Sequence, residues 1–194
     1  MPGFRRGRGA GEGAGISCST GFLRLSCPRL RSALPISSQC AIKAGRCQLG
    51  DYRREVQAVL RTTRATFVTP STYGTDNRCL TDALARCGKD ARGVAVVDPG
   101  ISNSELQQLH DAGVRGVRVK LPKAELVALS NQIHELGWHM EFYVPGEELA
   151  DMEETLMSLP TPIVLDHLAH LREPHALQSL AYGTVRRLLD TGHC

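Results

Sequence analysis

From residue 65 onward, short apolar runs alternate with longer stretches in which apolar residues return every three or four positions. The runs are ATFVTP (65–70), GVAVVDP (93–99), GVRVKL (116–121), WHMEFYVP (138–145) and PIVLDH (162–167), each of strand length. Between them, Leu80, Ala83, Leu84 and Cys87 recur at i, i+3, i+4 and i+7, which predicts a helix with one buried face. Leu126, Leu129, Ile133 and Leu136 predict a second such face, and Leu149, Met152 and Leu156 a third. A last helix is expected over about 176–190, with Leu177, Leu180, Ala181 and Leu188 inward. ISNSELQQLHDAG reads as a helix opened by the capping box Ser102-x-x-Glu105 and closed by Gly113. Asp76 is placed to cap the helix that follows it, and Pro122 to start the next. Ahead of all these, Tyr52, Val56, Val59 and Leu60 predict a first helix.

The strand centres fall near 68, 95, 118, 141 and 164, with helical stretches between them. That spacing means repeated βα units and a parallel sheet. The inner strands of an open, doubly wound sheet are apolar on both faces. Here Arg118 and Lys120 alternate with Val117 and Val119, and His139, Glu141 and Tyr143 with Met140, Phe142 and Val144. One polar and one apolar face suit a barrel strand, apolar under the helices and polar toward the axis. The prediction is an α/β fold: an incomplete (β/α)8 TIM-type barrel of about five βα units over 51–194, since complete barrels take ~250 residues.

Composition divides the 194 residues. Residues 1–64 carry 12 Lys/Arg against 3 Asp/Glu, whereas 65–194 carry 11 against 17. Residues 1–50 read as a low-complexity basic arm, poorly ordered, with Pro28 and Pro35 breaking any helix. Its Arg- and Ser-rich, acid-poor character has the composition of a transit peptide. Its arginines alternate with Gly, Ser and Leu rather than with the aromatic residues that stacking on bases requires, so no nucleic-acid partner is expected. The seven cysteines form no C-x-x-C pair, which points to free thiols in a reducing, cytoplasmic setting. No apolar run approaches the ~18 residues of a membrane span.

In a barrel, chemistry gathers at the carboxyl ends of the strands. Those ends offer Ser71, Tyr73, Thr75, Asp76 and Asn77, then Asp98, Arg118 with Lys120, Glu141 with Tyr143, and Asp166 with His167. Basic groups, a phenol, a hydroxyl and an imidazole around one mouth suit an anionic, carboxylate-bearing ligand. Each has a bland alternative: turn and cap chemistry for 71–77 and Asp98, a structural ion pair for Arg118 and Glu141, simple packing for Tyr143. His139 sits early in its strand and reads as structural, while His110, His170 and His175 read as surface residues. His167 follows three aliphatics directly at the mouth, and alternation is expected to turn its neighbour Asp166 away from the axis.

FVTPSTYGTDNRCLTDALA, RGVAVVDPGIS, LHDAGVRGVRVKL, LGWHMEFYVP and PIVLDHLAH resemble, in order, the amidohydrolase-related TIM-barrel hydrolases of the 2-pyrone-4,6-dicarboxylate hydrolase (lactonase) type. The resemblance implies hydrolysis of a carboxylate-bearing lactone or related ester by addition of water to a carbonyl. It implies that Ser71, Arg118 and Tyr143 hold the substrate and that His167 is the strand-end histidine of the active site. In metal-using relatives that histidine is a ligand to a divalent ion such as zinc; the pyrone lactonases work without one.

The departures are equally specific. The family opens on an H-x-H strand, whereas the first histidine here is His110, and its late strand-borne aspartate base has no counterpart before LLDTGHC. Lys123 is the one candidate for the basic loop that some relatives carry, and Glu141 stands where a neutral amide is expected. The chain therefore reads as truncated, with little or no turnover expected of it alone. A non-catalytic fragment, or a binding module for anionic metabolites built on Arg118 and Tyr143, is the alternative.

Overall fold

The computed structural model describes residues 49–120, 122–171 and 176–194, with Ser71, Glu147 and Ala176 by their backbone only. The basic arm, apart from Leu49 and Gly50, lies outside the described residues, as does His175. Five strands, β1 (Ala65–Val68), β2 (Ala91–Ala95), β3 (Val114–Val119), β4 (His139–Phe142) and β5 (Ile163–Leu165), form one sheet in sequential order. Every neighbouring pair is parallel. A curled, all-parallel sheet in chain order, with its helices following strand by strand, is an arc of a (β/α)8-type barrel, with β1 at its edge among the described residues.

The helices are α1 (Leu49–Tyr52), α2 (Ala58–Leu60), α3 (Arg78–Cys87), α4 (Asn103–Asp111), α5 (Lys123–His134), α6 (Gly146–Ser158) and α7 (Leu180–Asp190). A π turn, Arg53–Gln57, joins α1 to α2. The capping box of α4 forms as its sequence predicts, with Ser102 accepting from the Glu105 amide and the Glu105 carboxylate accepting from the Ser102 amide. Asp76 lies one residue before the N-cap of α3 and accepts the Arg78 amide at 3.0 Å, so it caps from one position further out.

The predicted apolar faces meet over the helix side of the sheet. Leu80 and Leu84 from α3, Leu106 from α4, Leu126, Leu129 and Ile133 from α5, and Leu149 and Leu156 from α6 pack with Val117, Val119, Met140, Phe142 and Ile163. Each such side chain contributes about 1.5–3 kcal/mol on burial. Within this layer Ser130 and Thr161 satisfy each other at 2.8 Å, and Trp138, wholly buried, donates its indole N–H to His110 Nδ1 at 3.0 Å. His110 is therefore half-buried and engaged, not the surface residue its position in α4 predicts.

Two predicted faces are buried only in part. Val59 and Leu60 are exposed, while Leu49 and Tyr52 at the start of the stretch pack against the core, Tyr52 edge-on to Phe67. This stretch precedes β1, the edge strand of the sheet among the described residues. Leu177 and Leu180 are likewise exposed, because they precede the part of α7 that packs on the core; burial there begins with Ala181 and includes Thr184 and Leu188. The chain end runs beside β5, with the Ile163 amide donating to the His193 carbonyl at 2.9 Å.

Candidate functional site

β3 and β4 pair with Arg118 beside Glu141, and β4 and β5 with Glu141 beside Val164. Asp166 lies two residues past Val164 and so returns to the face that carries Arg118 and Glu141. Arg118 Nε donates to Glu141 Oε1 at 2.6 Å, and Arg118 Nη2 donates to Asp166 Oδ2 at 2.9 Å. The side chains of Arg118, Glu141 and Asp166 are 15%, 7% and 2% exposed, so one guanidinium holds two carboxylates largely away from water. Burial pushes the Glu141 carboxyl above the usual carboxylate range; Arg118 pulls it down without cancelling that effect, and the charge of Asp166 adds to the rise.

The expected orientation of Asp166 is thus corrected: it faces the polar cluster, and His167 is the residue that strand alternation would turn toward the helices. A left-handed turn brings His167 back. His167, Leu168, Ala169 and His170 all have φ between 50 and 55°, four consecutive non-glycine residues in the left-handed region. That conformation costs roughly 1–2 kcal/mol per residue. Opposing the cost are the His167 amide donating to Asp166 Oδ1 at 2.8 Å, the burial of Ala169, and a cluster of rings. Tyr143 meets His167 edge-on at 5.4 Å and His170 at 4.8 Å, and the two imidazoles lie 5.2 Å apart. The turn also crosses close to α6, where a Cβ on Gly146 would lie 3.0 Å from the Ala169 carbonyl oxygen. Glycine at the start of α6 permits that approach.

Tyr143, half-exposed at the mouth, joins the halves of the site, since the Arg118 guanidinium carbon lies 5.9 Å from its ring centre. Arg118, Tyr143 and His167 therefore form a continuous series of contacts at the carboxyl ends of β3, β4 and β5. Ser71 opens the 3-10 turn Ser71–Tyr73 after β1, two strands from Arg118. Next to it Thr72 is buried, and its hydroxyl has no hydrogen-bond partner among the described residues, a feature that sequence pattern alone does not reveal.

Other candidates take structural work. Asn77 accepts from the Thr69 hydroxyl at 2.8 Å and donates to the Val96 carbonyl at 2.8 Å, stapling the ends of β1 and β2. Asp98 accepts the Gly100 amide at 2.9 Å in a turn. Lys123 donates to the Asp151 carbonyl of α6 at 2.6 Å, which ties it to a helix rather than to the mouth. His139 packs across Gly116, and burial lowers its imidazole pKa below the ordinary value. His170 belongs to the ring cluster, not to an isolated surface position. Sequence reasoning placed Asp166 at the strand end but turned it away, and took His170 for a surface residue; counting two residues on from Val164 corrects the former, while only the left-handed turn supplies the latter.

A divalent ion fits poorly here. Among the described residues no group of three His, Cys, Asp or Glu side chains converges to hold one. The carboxylates nearest His167 already face a guanidinium, whose charge opposes a cation at the same oxygens.

The amidohydrolase family matches residues 29–192. The 2-pyrone-4,6-dicarboxylate hydrolase of Comamonas testosteroni is 42% identical over 113 residues, which cover 54% of this chain and 37% of that protein. The 4-sulfomuconolactone hydrolase of Rhizobium radiobacter is 25% identical over 139 residues, 67% of this chain and 46% of that protein. Among solved structures, a probable 2-pyrone-4,6-dicarboxylic acid hydrolase from Acinetobacter baumannii with citric acid bound superposes with a TM-score of 0.68 at 20% identity, covering 78% of this chain and 60% of that one. A putative 2-pyrone-4,6-dicarboxylic acid hydrolase from Pseudomonas putida gives 0.67 at 28% identity, with 75% and 56% covered. The chain thus spans less than half the length of these two curated relatives. With the fold, the ordered motifs and a match over most of its length in agreement, the chain belongs to the amidohydrolase family.

Proposed function

We propose that this chain carries the substrate-binding face of a hydrolase that opens a small, carboxylate-bearing lactone by adding water to its carbonyl. The observation that carries the reading is the contact series Arg118–Tyr143–His167 across three adjacent strand ends. Two relatives are named for hydrolysing a pyrone dicarboxylate and a sulfomuconolactone, both lactones bearing anionic groups. In this reading Arg118 and Ser71 bind ligand carboxylates. The Tyr143 hydroxyl donates to an acceptor oxygen of the ring. His167 is the catalytic residue: its imidazole exchanges a proton with the reacting oxygens as water adds and the ring C–O bond breaks. Cys79, Cys87 and Cys194 stand as thiols outside any disulfide, which fits a reducing compartment such as the cytoplasm, and no helix among the described residues is long and apolar enough to cross a membrane.

One observation favours a second reading, a binding module for anionic metabolites. Both carboxylates nearest His167 are engaged by Arg118, so neither stands ready as a base for the attacking water. Calorimetric binding and ultraviolet loss of 2-pyrone-4,6-dicarboxylate separate the two. Turnover that falls ~10²–10⁴-fold in His167→Ala supports the hydrolase. Binding without turnover, abolished in Arg118→Ala, supports the module. Turnover indifferent to both substitutions removes the site assignment.

A further inference from the structure

The cation assigned to ligand carboxylates is already occupied by the protein's own. A guanidinium grips a carboxylate through two neighbouring N–H groups, either Nε with one terminal nitrogen or both terminal nitrogens. Nη2 belongs to both of those edges here, and it lies 2.6 Å from Glu141 Oε1 and 2.9 Å from Asp166 Oδ2. Glu141 also takes the Nε hydrogen. The two acids differ in what else they do. Asp166 accepts the His167 amide and so holds the turn that presents the imidazole. Glu141 stands mid-face on β4, and Arg118 is the one hydrogen-bond partner found for its carboxylate among the described residues.

We infer that Glu141 is a specificity-determining residue, an internal carboxylate that competes with ligand carboxylates for Arg118 and sets which anions the site accepts. The inference rests on the reading of Arg118 as the ligand-binding cation. Two buried carboxylates against one guanidinium leave the cluster with an excess negative charge, which opposes a dianion more than a monoanion or a neutral ester. A ligand carboxylate must either displace Glu141 from the Nε–Nη2 edge or share the cation with it. A glutamine keeps the shape and the acceptor oxygen, removes the charge, and yields the edge readily.

The test is calorimetric titration of the full chain and of Glu141→Gln with 2-pyrone-4,6-dicarboxylate and, separately, with its uncharged dimethyl ester. Glu141→Met serves as a second variant of similar volume, and thermal unfolding identifies which variants remain folded. The expected result is about 10- to 100-fold tighter binding of the dianion in Glu141→Gln, with no gain for the ester, the gain disappearing when Arg118→Ala is added. Unchanged or weaker dianion binding in the folded variants overturns the inference, as does an equal gain for the ester or no binding by any form. Tighter dianion binding with no lactone turnover in any variant upholds Glu141 as the competitor and removes the lactonase reading. Lactone turnover without the gain does the reverse.

Discussion

The polar faces of β3 and β4 have two ends, and they behave differently although the same strands build both. At the amino end, His139 packs over Gly116, and burial favours its neutral form. At the carboxyl end, Arg118 keeps Glu141 and Asp166, both more deeply buried than His139, together beside Tyr143 at the mouth. The first is a packing solution: a side chain of intermediate polarity fills the space left by a missing Cβ. The second holds ionised groups out of water, which is costly unless something offsets it. Position along the strand, early in β4 or just past the end of β5, rather than residue type, separates a structural histidine from a candidate catalytic one.

The comparison breaks most sharply if Arg118 is removed. Arg118→Ala leaves two buried carboxylates without their cation, and we expect a loss of about 3–5 kcal/mol in urea unfolding at pH 7. Part of it should return at lower pH, where Glu141, whose carboxyl is already pushed up by burial, is neutralised. A stability change under 1 kcal/mol would mean that water reaches the cluster freely.

Gly116→Ala probes the other end. A Cβ there meets the ring of His139, and we expect about 1–3 kcal/mol of destabilisation from overpacking. Adding His139→Ala should relieve the clash, so the two substitutions should be strongly non-additive in a double-mutant cycle. Additive effects would show that His139 is not packed across the glycine.

The smallest expected effect is in pH dependence. The folded-state pKa of His139 lies below its ordinary value of 6.5, so the unfolded chain binds its proton more readily. Stability from this group is present above 6.5 and is lost as pH falls through and below that value. Unfolding midpoints of the wild type and His139→Gln, compared from pH 7.5 to 5, should show a shallower acid loss in the variant. Parallel curves would place the imidazole in water.

Much of this was legible in the chain. Periods of two and of three to four locate all five strands and the principal helices, because the core asks only for apolar residues on the right side of each element. The strand ends were legible for the same reason, and with them Arg118, Tyr143 and His167. Local pattern failed where a neighbour was needed to decide. Leu177, Leu180, Val59 and Leu60 have helical spacing, yet nothing among the described residues covers them. Asp166 joins Arg118 and Glu141 only because parallel pairing sets β3, β4 and β5 in register.

The sequence by itself determined an alternating α/β chain, a parallel sheet with one polar face, and the chemical groups at its mouth. Tertiary structure alone decided how those groups are joined: the sharing of one guanidinium by two carboxylates, and the left-handed turn that returns His167 and His170 to Tyr143. The physical reason is range. Side-chain periodicity follows from the dihedral angles of consecutive residues, whereas a buried charge cluster depends on groups 23 and 48 residues apart being brought together when the sheet forms.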